Sequence, residues 1–154
     1  MAMQLLYQFD MSGDATTGEL VEDFSDEPGC RESRALAEQA WASRESSDAL
    51  AGRLAPQWPT HRQPPIDRAV MRLAHHEMAT KRVPVNVAIN EAVELAKEYG
   101  AENSPAFING LLDKMAKEIA NAECRSAAEP LSPSKGRMSQ RSGGPEPVEG
   151  SESE

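Results

Sequence analysis

Residues that could do chemistry are few in this chain and poorly placed for catalysis. The histidines are His61, His75 and His76. On a helix the adjacent pair diverges by about 100°, a poor geometry for gripping one metal ion. Cys30 and Cys124 have no CxxC spacing and no histidine nearby, so they read as idle or buried thiols in a reducing compartment. HExxH, GxSxG, Walker A and dinucleotide signatures are all missing. Acids are plentiful, but helix surfaces always carry them, and no pair stands out as general acid and base. The residues therefore assemble no catalytic, metal or cofactor site, and the chain reads as a non-enzyme.

One aromatic is harder to explain as packing. The stretch "NSPAFINGLLDK", residues 103–114, starts like a helix with Ser104 as N-cap and Pro105 at the first position. Winding it at 100° per residue puts Ile108, Leu111, Leu112, Met115 and Ile119 on one inward stripe. Phe107 falls about 100° to the side, beside Gly110 and Lys114. Such a ring either flanks the core or faces a ligand. Glu77 poses a smaller question, since it falls on its helix's apolar stripe and must be partly buried or escape to water at the helix end.

The elements that carry these residues are helices. Residues 1–11 form a short apolar helix with Leu5, Leu6 and Phe9 inward and Ser12-Gly13 as its stop. Residues 13–30 are acidic, with Gly and Pro, and read as a loop holding a helical turn. Residues 31–55 form one broadly helical run through Ala35, Leu36, Ala40, Trp41, Leu50 and Leu54. "PQWPTHRQPP", with four prolines in ten residues, is an irregular connection. From Pro65, Ile66, Ala69, Val70 and Leu73 make one stripe while Arg68, Arg72 and His75 gather opposite. "KRVP" breaks that pattern. Val85, Ile89, Ala92, Ala96 and Tyr99 line the next helix, which Gly100 ends as its C′ residue. A last helix runs from Ser104 to about Glu123, and no segment alternates like a strand.

Composition sets the outer bounds. At 154 residues, 39% hydrophobic and 5% aromatic, the chain holds one domain with an aliphatic, Ala-rich core that favours helix. No apolar run is long enough for a membrane span, and the start lacks the basic n-region of a signal peptide. The formal net charge of −9 argues against a general polyanion binder. Its distribution is uneven. Asp10 to Glu27 holds seven acids and no Lys or Arg, whereas Arg53 to Arg82 holds six Lys or Arg against Asp67 and Glu77. A solvated helix face or an RNA-holding surface would each explain that basic stretch. After Cys124 the sequence turns to Pro, Ser, Gly and Glu and is expected to be disordered, giving a helical domain over 1–123 and a tail over 124–154.

"PIDRAVMRLAHHEM" and "VPVNVAINEAVELAKEYGAENSPAFINGLLDKMAKEI" closely resemble the C-terminal half of the NusB family of bacterial transcription antitermination factors, and "LLYQFDMSG" is similar to the end of that family's first helix. The resemblance covers residues 1 to about 122 and is strongest over 65–120. It implies an all-α fold of two packed helical bundles and a cytoplasmic RNA-binding adaptor, monomer or homodimer. It also implies pairing with the ribosomal protein NusE, a joint grip on boxA-type single-stranded RNA, and action with the RNA polymerase antitermination complex in ribosomal RNA operons. The apolar edges around 65–80 are where NusE is expected.

Residue by residue, Tyr7 matches the family's first-helix tyrosine near RNA, and Asp67 an acidic position at the start of the "IDRAV" helix. Asn103 and Phe107 match a loop and helix start that also approach RNA, with Asn103 standing where family members often have aspartate. Bases of single-stranded RNA stack on exposed aromatics while cations hold phosphates. Phe107 and Tyr7 are then the platforms, Lys114, Lys81 and Arg82 the cations, and Asp67 an acceptor for a base edge. Periodicity alone is equally served by Phe107 and Tyr7 as flanking core residues and by Lys81–Arg82 as a solvated turn. The family's arginine-rich segment before the first helix lies ahead of where this sequence starts, which predicts either a start assigned too late or weaker RNA binding. Two alternatives follow: a protein-only helical adaptor, and a detached RNA-binding domain like those at the N-terminus of ribosomal RNA cytosine methyltransferases.

Overall fold

Leu5, Leu6 and Phe9, spaced to face one way, make α1 (Ala2–Ser12) an inward-facing helix with Ala2 and Met3 also buried. Gly13 ends it in the left-handed region, φ 77°, and returns its N–H to the Phe9 carbonyl at 2.8 Å. The computed structural model describes residues 1–13 and 28–128, so the expected acidic loop lies almost wholly outside the described residues.

The helical run expected over 31–55 is two helices, α2 (Pro28–Ala42) and α3 (Arg44–Leu54). The break falls at Ser43, whose hydroxyl bonds back to the Gln39 and Ala40 carbonyls, each at 3.2 Å. Such back-bonding competes with the helix ladder at a chain turn. A 3-10 turn, Thr60–Arg62, lies in the proline-rich connection. Then come α4 (Pro65–Ala79), α5 (Val85–Tyr99) and α6 (Ser104–Ala128). Among the described residues there is no strand, and the fold is all-helical.

Helix α4 is the centre. It packs against α1, α2, α3 and α5, so two helical groups meet along it. Its apolar stripe is buried as the sequence predicts, but its opposite face is not solvated. Arg72, His75 and His76 are buried there against α1 and α3, with Arg72 only 5% exposed. Arg72 donates to Asp10 Oδ1 at 2.7 Å and to both Asp48 oxygens at 2.8 and 2.6 Å, and Arg68 also binds Asp10. Burial alone would raise the Asp10 pKa, but the hydrogen bonds from Arg72 and Arg68 outweigh it and hold the carboxyl below its usual range. Helix α4 is buried along most of its length, with Ile66 half-buried near its start and Ala79 exposed at its end.

The buried stripe of α5 is Ala88, Ala92 and Ala96. The expected ends, Val85 and Tyr99, are instead exposed. Small residues let α5 approach closely, and the stripe rotates to bring them inward. Gly100 is extended rather than left-handed, at φ −91° and ψ −177°. Its glycine is needed for space: a Cβ there would stand 2.6 Å from the Ala96 carbonyl oxygen and 2.8 Å from Ser104 Cβ.

On α6, Ile108, Leu111, Leu112 and Met115 are buried as expected. The chain divides into two units, Met1–Ile119 and Ala120–Glu154. The core lies in the first, and the described part of the second is the end of α6, which continues past the composition change at Cys124 to Ala128. The rest of the expected tail lies outside the described residues. Among the described residues no helix is long and apolar enough to cross a membrane, and no group of three His, Cys, Asp or Glu gathers to hold a metal.

Candidate nucleic-acid interface

Between the end of α3 and the first half of α6 lies a cleft of about 440 Å³. The proline-rich connection forms one wall, held by several bonds. The Trp58 N–H donates to the Ala55 carbonyl at 3.0 Å, and buried Gln63 returns its Nε2 to the Trp58 carbonyl at 3.1 Å. Arg68 Nη1 reaches the Thr60 carbonyl at 3.3 Å. Helix α6 forms the other wall with Phe107, Gly110, Leu111 and Lys114. Phe107 is half-buried against the core, and Lys114 is exposed. The three residues that helical winding puts off the apolar stripe thus line one cleft.

The start of α6 is fixed from below. Ser104 is not the cap that its type suggests: the Phe107 N–H donates to the Asn103 carbonyl at 3.2 Å, which sets the cap one residue earlier. Ser104 Oγ instead accepts from the Ala101 N–H at 2.9 Å and donates to Asp67 Oδ2 at 2.8 Å. Asp67 is only 3% exposed, and its Oδ1 is buried without a hydrogen-bond partner among the described residues. Burial raises its pKa, with the Ser104 hydrogen bond opposing. Asp67 thereby ties α4 to the turn before Phe107, while the Asn103 side chain stands in solvent.

A family model described as the NusB family matches residues 1–117. The chain belongs to the NusB family. Among curated relatives, the transcription antitermination protein NusB of Chloroflexus aggregans is 38% identical over 118 residues, covering 72% of this chain and 79% of that protein. The NusB of Herpetosiphon aurantiacus is 35% identical, covering 79% and 89%. The solved structure of T. maritima NusB has 32% identity and a TM-score of 0.68, covering 76% of this chain and 86% of that one. The NusB solution structure from Aquifex aeolicus, at 23% identity and TM-score 0.63, agrees in fold. Membership of the NusB family makes the chain a transcription antitermination protein and not an enzyme.

Tyr7, which the NusB resemblance singles out, and Lys81 and Arg82, expected as cations, lie on elements that do not line the cleft. Tyr7 is half-buried on α1, against the core. Lys81 and Arg82 are exposed on the α4–α5 turn, where Lys81 takes φ 55° and the Arg82 N–H donates to the Glu77 carbonyl at 3.0 Å. Glu77 is half-buried, and burial followed by the nearby Glu91 raises its pKa, with Arg82 opposing. One lining residue, Trp58, is absent from the sequence reading. It is 45% exposed. A tryptophan between prolines, in a stretch with no apolar period, was the available signal.

Proposed function

We propose that the chain binds boxA-type single-stranded RNA jointly with the ribosomal protein NusE, as a cytoplasmic part of the RNA polymerase antitermination complex serving ribosomal RNA operons. The observation that carries this reading is the half-uncovered Phe107 ring in a cleft that also holds the Lys114 ammonium. An aromatic face stacks an unpaired base, and a cation beside it neutralises the adjoining phosphate. Asn103 adds a neutral polar group one turn earlier. Tyr7, Lys81 and Arg82 extend the track along other elements. Asp67 serves by holding the start of α6 in place, since its carboxylate is buried.

Fluorescence anisotropy of a labelled boxA-type RNA, with and without NusE, tests the proposal. Binding is expected to tighten with NusE and weaken with salt. Phe107→Ala should cost roughly tenfold in affinity, the scale of one stacked base. No binding even with NusE present would sink the proposal and leave a protein-only adaptor.

A further inference from the structure

We infer that Trp58 is a second base-stacking platform, and that the cleft between the proline-rich connection and α6 takes a nucleobase of single-stranded RNA from two sides. The inference rests on the RNA-binding reading above and adds a residue and a wall to it.

The two tryptophans of the chain are treated differently. Trp41 is buried, edge-on to Phe9, with the guanidinium of Arg44 4.3 Å from its ring centre. Trp58 stands nearly half in water. Its backbone is pinned on both sides, by its N–H to Ala55 and its carbonyl to Gln63, and prolines flank it at 56 and 59. A backbone braced on both sides of an exposed ring fixes where the ring is presented, which lowers the entropy lost on binding.

Opposite it, Gly110 keeps the α6 wall low. A Cβ there would meet nothing within 4 Å, so close packing does not require this glycine. Glycine inside a helix is unfavourable relative to alanine. Here its effect is open space in the cleft.

Charge selects the kind of ligand. No residue lining this cleft is acidic, although the chain's formal net charge is −9. Two other hollows contain carboxylates, Glu91, Glu94 and Glu98 in one, Asp10 and Asp48 in the other. Lys114 is the cleft's cation, and the acid next to it in sequence, Asp113, is engaged by Lys117 at 2.8 Å. Two aromatic faces, an open floor and one cation fit a flat ring followed by a phosphate.

Intrinsic tryptophan fluorescence of the full chain, titrated with the same boxA-type RNA, reads the inference separately from anisotropy. RNA should quench Trp58 over the concentration range in which anisotropy rises. Trp58→Phe should abolish the quench and keep most of the affinity. Trp58→Ala should weaken binding roughly tenfold. Gly110→Leu fills the open space beside Phe107 while leaving both aromatic residues in the chain, and should weaken binding comparably, with helix content by circular dichroism retained. Tight binding with no quench, or unchanged affinity in both Trp58→Ala and Gly110→Leu, overturns the inference and leaves the RNA-binding reading intact. A quench by NusE in the absence of RNA assigns the cleft to protein and overturns it too. Absence of any anisotropy change overturns both.

Discussion

Asn103 is a single neutral side chain at a sensitive place, exposed one turn before Phe107, with its carbonyl starting α6. A carboxylate there would repel a phosphate passing the cleft. Asn103→Asp is therefore expected to weaken boxA-type RNA binding by about two- to fivefold at low salt, the scale of one exposed charge contact. The gap should close as salt is added. Equal affinities at low salt would place the phosphate elsewhere. At this scale the sequence was informative where one helix decides the geometry. Phe107, Gly110 and Lys114 share a face by winding angle alone, and they line one cleft. Trp58 was not legible, because its position depends on the fold of an aperiodic loop. The burial of Asp67 was equally hidden, since its partner Ser104 lies 37 residues away.

At the scale of elements, the helices and their order could be read from spacing except for the break at Ser43, whereas the rotations of α4 and α5 could not. Hydrophobic period locates a stripe but does not say whether the other face meets water or a second helix, and on α4 it meets α1 and α3. The α5 stripe shows the converse, since alanines outrank Val85 and Tyr99 where two axes approach closely. Gly100 marks such an approach at the joint of α5 and α6. Gly100→Ala should destabilise the protein by about 1–3 kcal/mol, because the methyl must displace backbone or Ser104. Chemical denaturation measures this, and a neutral result would mean that the joint is not rigid.

A second joint binds α3 to α4. Ser47 Oγ bonds His75 Nδ1 at 2.7 Å, and Ser43 Oγ bonds His76 Nδ1 at 3.2 Å. Burial, then the neighbouring His76, lowers the His75 pKa from 6.5, and burial, then Arg82, lowers that of His76. The unfolded chain thus takes up protons more readily than the folded one. Stability from these neutral imidazoles is complete above about pH 6.5 and is lost as pH falls through the depressed folded values. The raised pKa values of Asp67 and Glu77 act in the opposite direction, in the carboxylate range above about pH 4. Melting temperature should therefore drop between pH 7.5 and 5.5, with a shallower dependence in His75→Gln. A flat profile in the parent chain would refute this. Ser47→Ala leaves a buried ring nitrogen unpaired and should cost about 1–3 kcal/mol at pH 7.5, read by denaturant melts.

For the whole molecule, the cluster of Asp10, Asp48, Arg68 and Arg72 joins α1, α3 and α4. Its hydrogen-bonded pairs are 24 to 62 residues apart in sequence, so no local pattern announces them. Arg72→Met keeps the length of the side chain and removes its charge, leaving Asp10 with Arg68 alone and Asp48 without its guanidinium. The expected loss is about 3 kcal/mol, toward the low end for a broken buried pair because Asp48 is partly in solvent. That corresponds to a fall of about 10 °C in Tm. A shift below about 2 °C would show that the cluster contributes little.

The same cluster has a consequence for synthesis on the ribosome. Arg72 is added 62 residues after Asp10, so α1 exists for about 3–12 s before its partner helix is made. During that interval Leu5, Leu6 and Phe9 have no α4 to cover them. Until then α2, with Trp41 against Phe9, is the cover available to the nascent first helix, and slow codons between α2 and α4 would lengthen its wait.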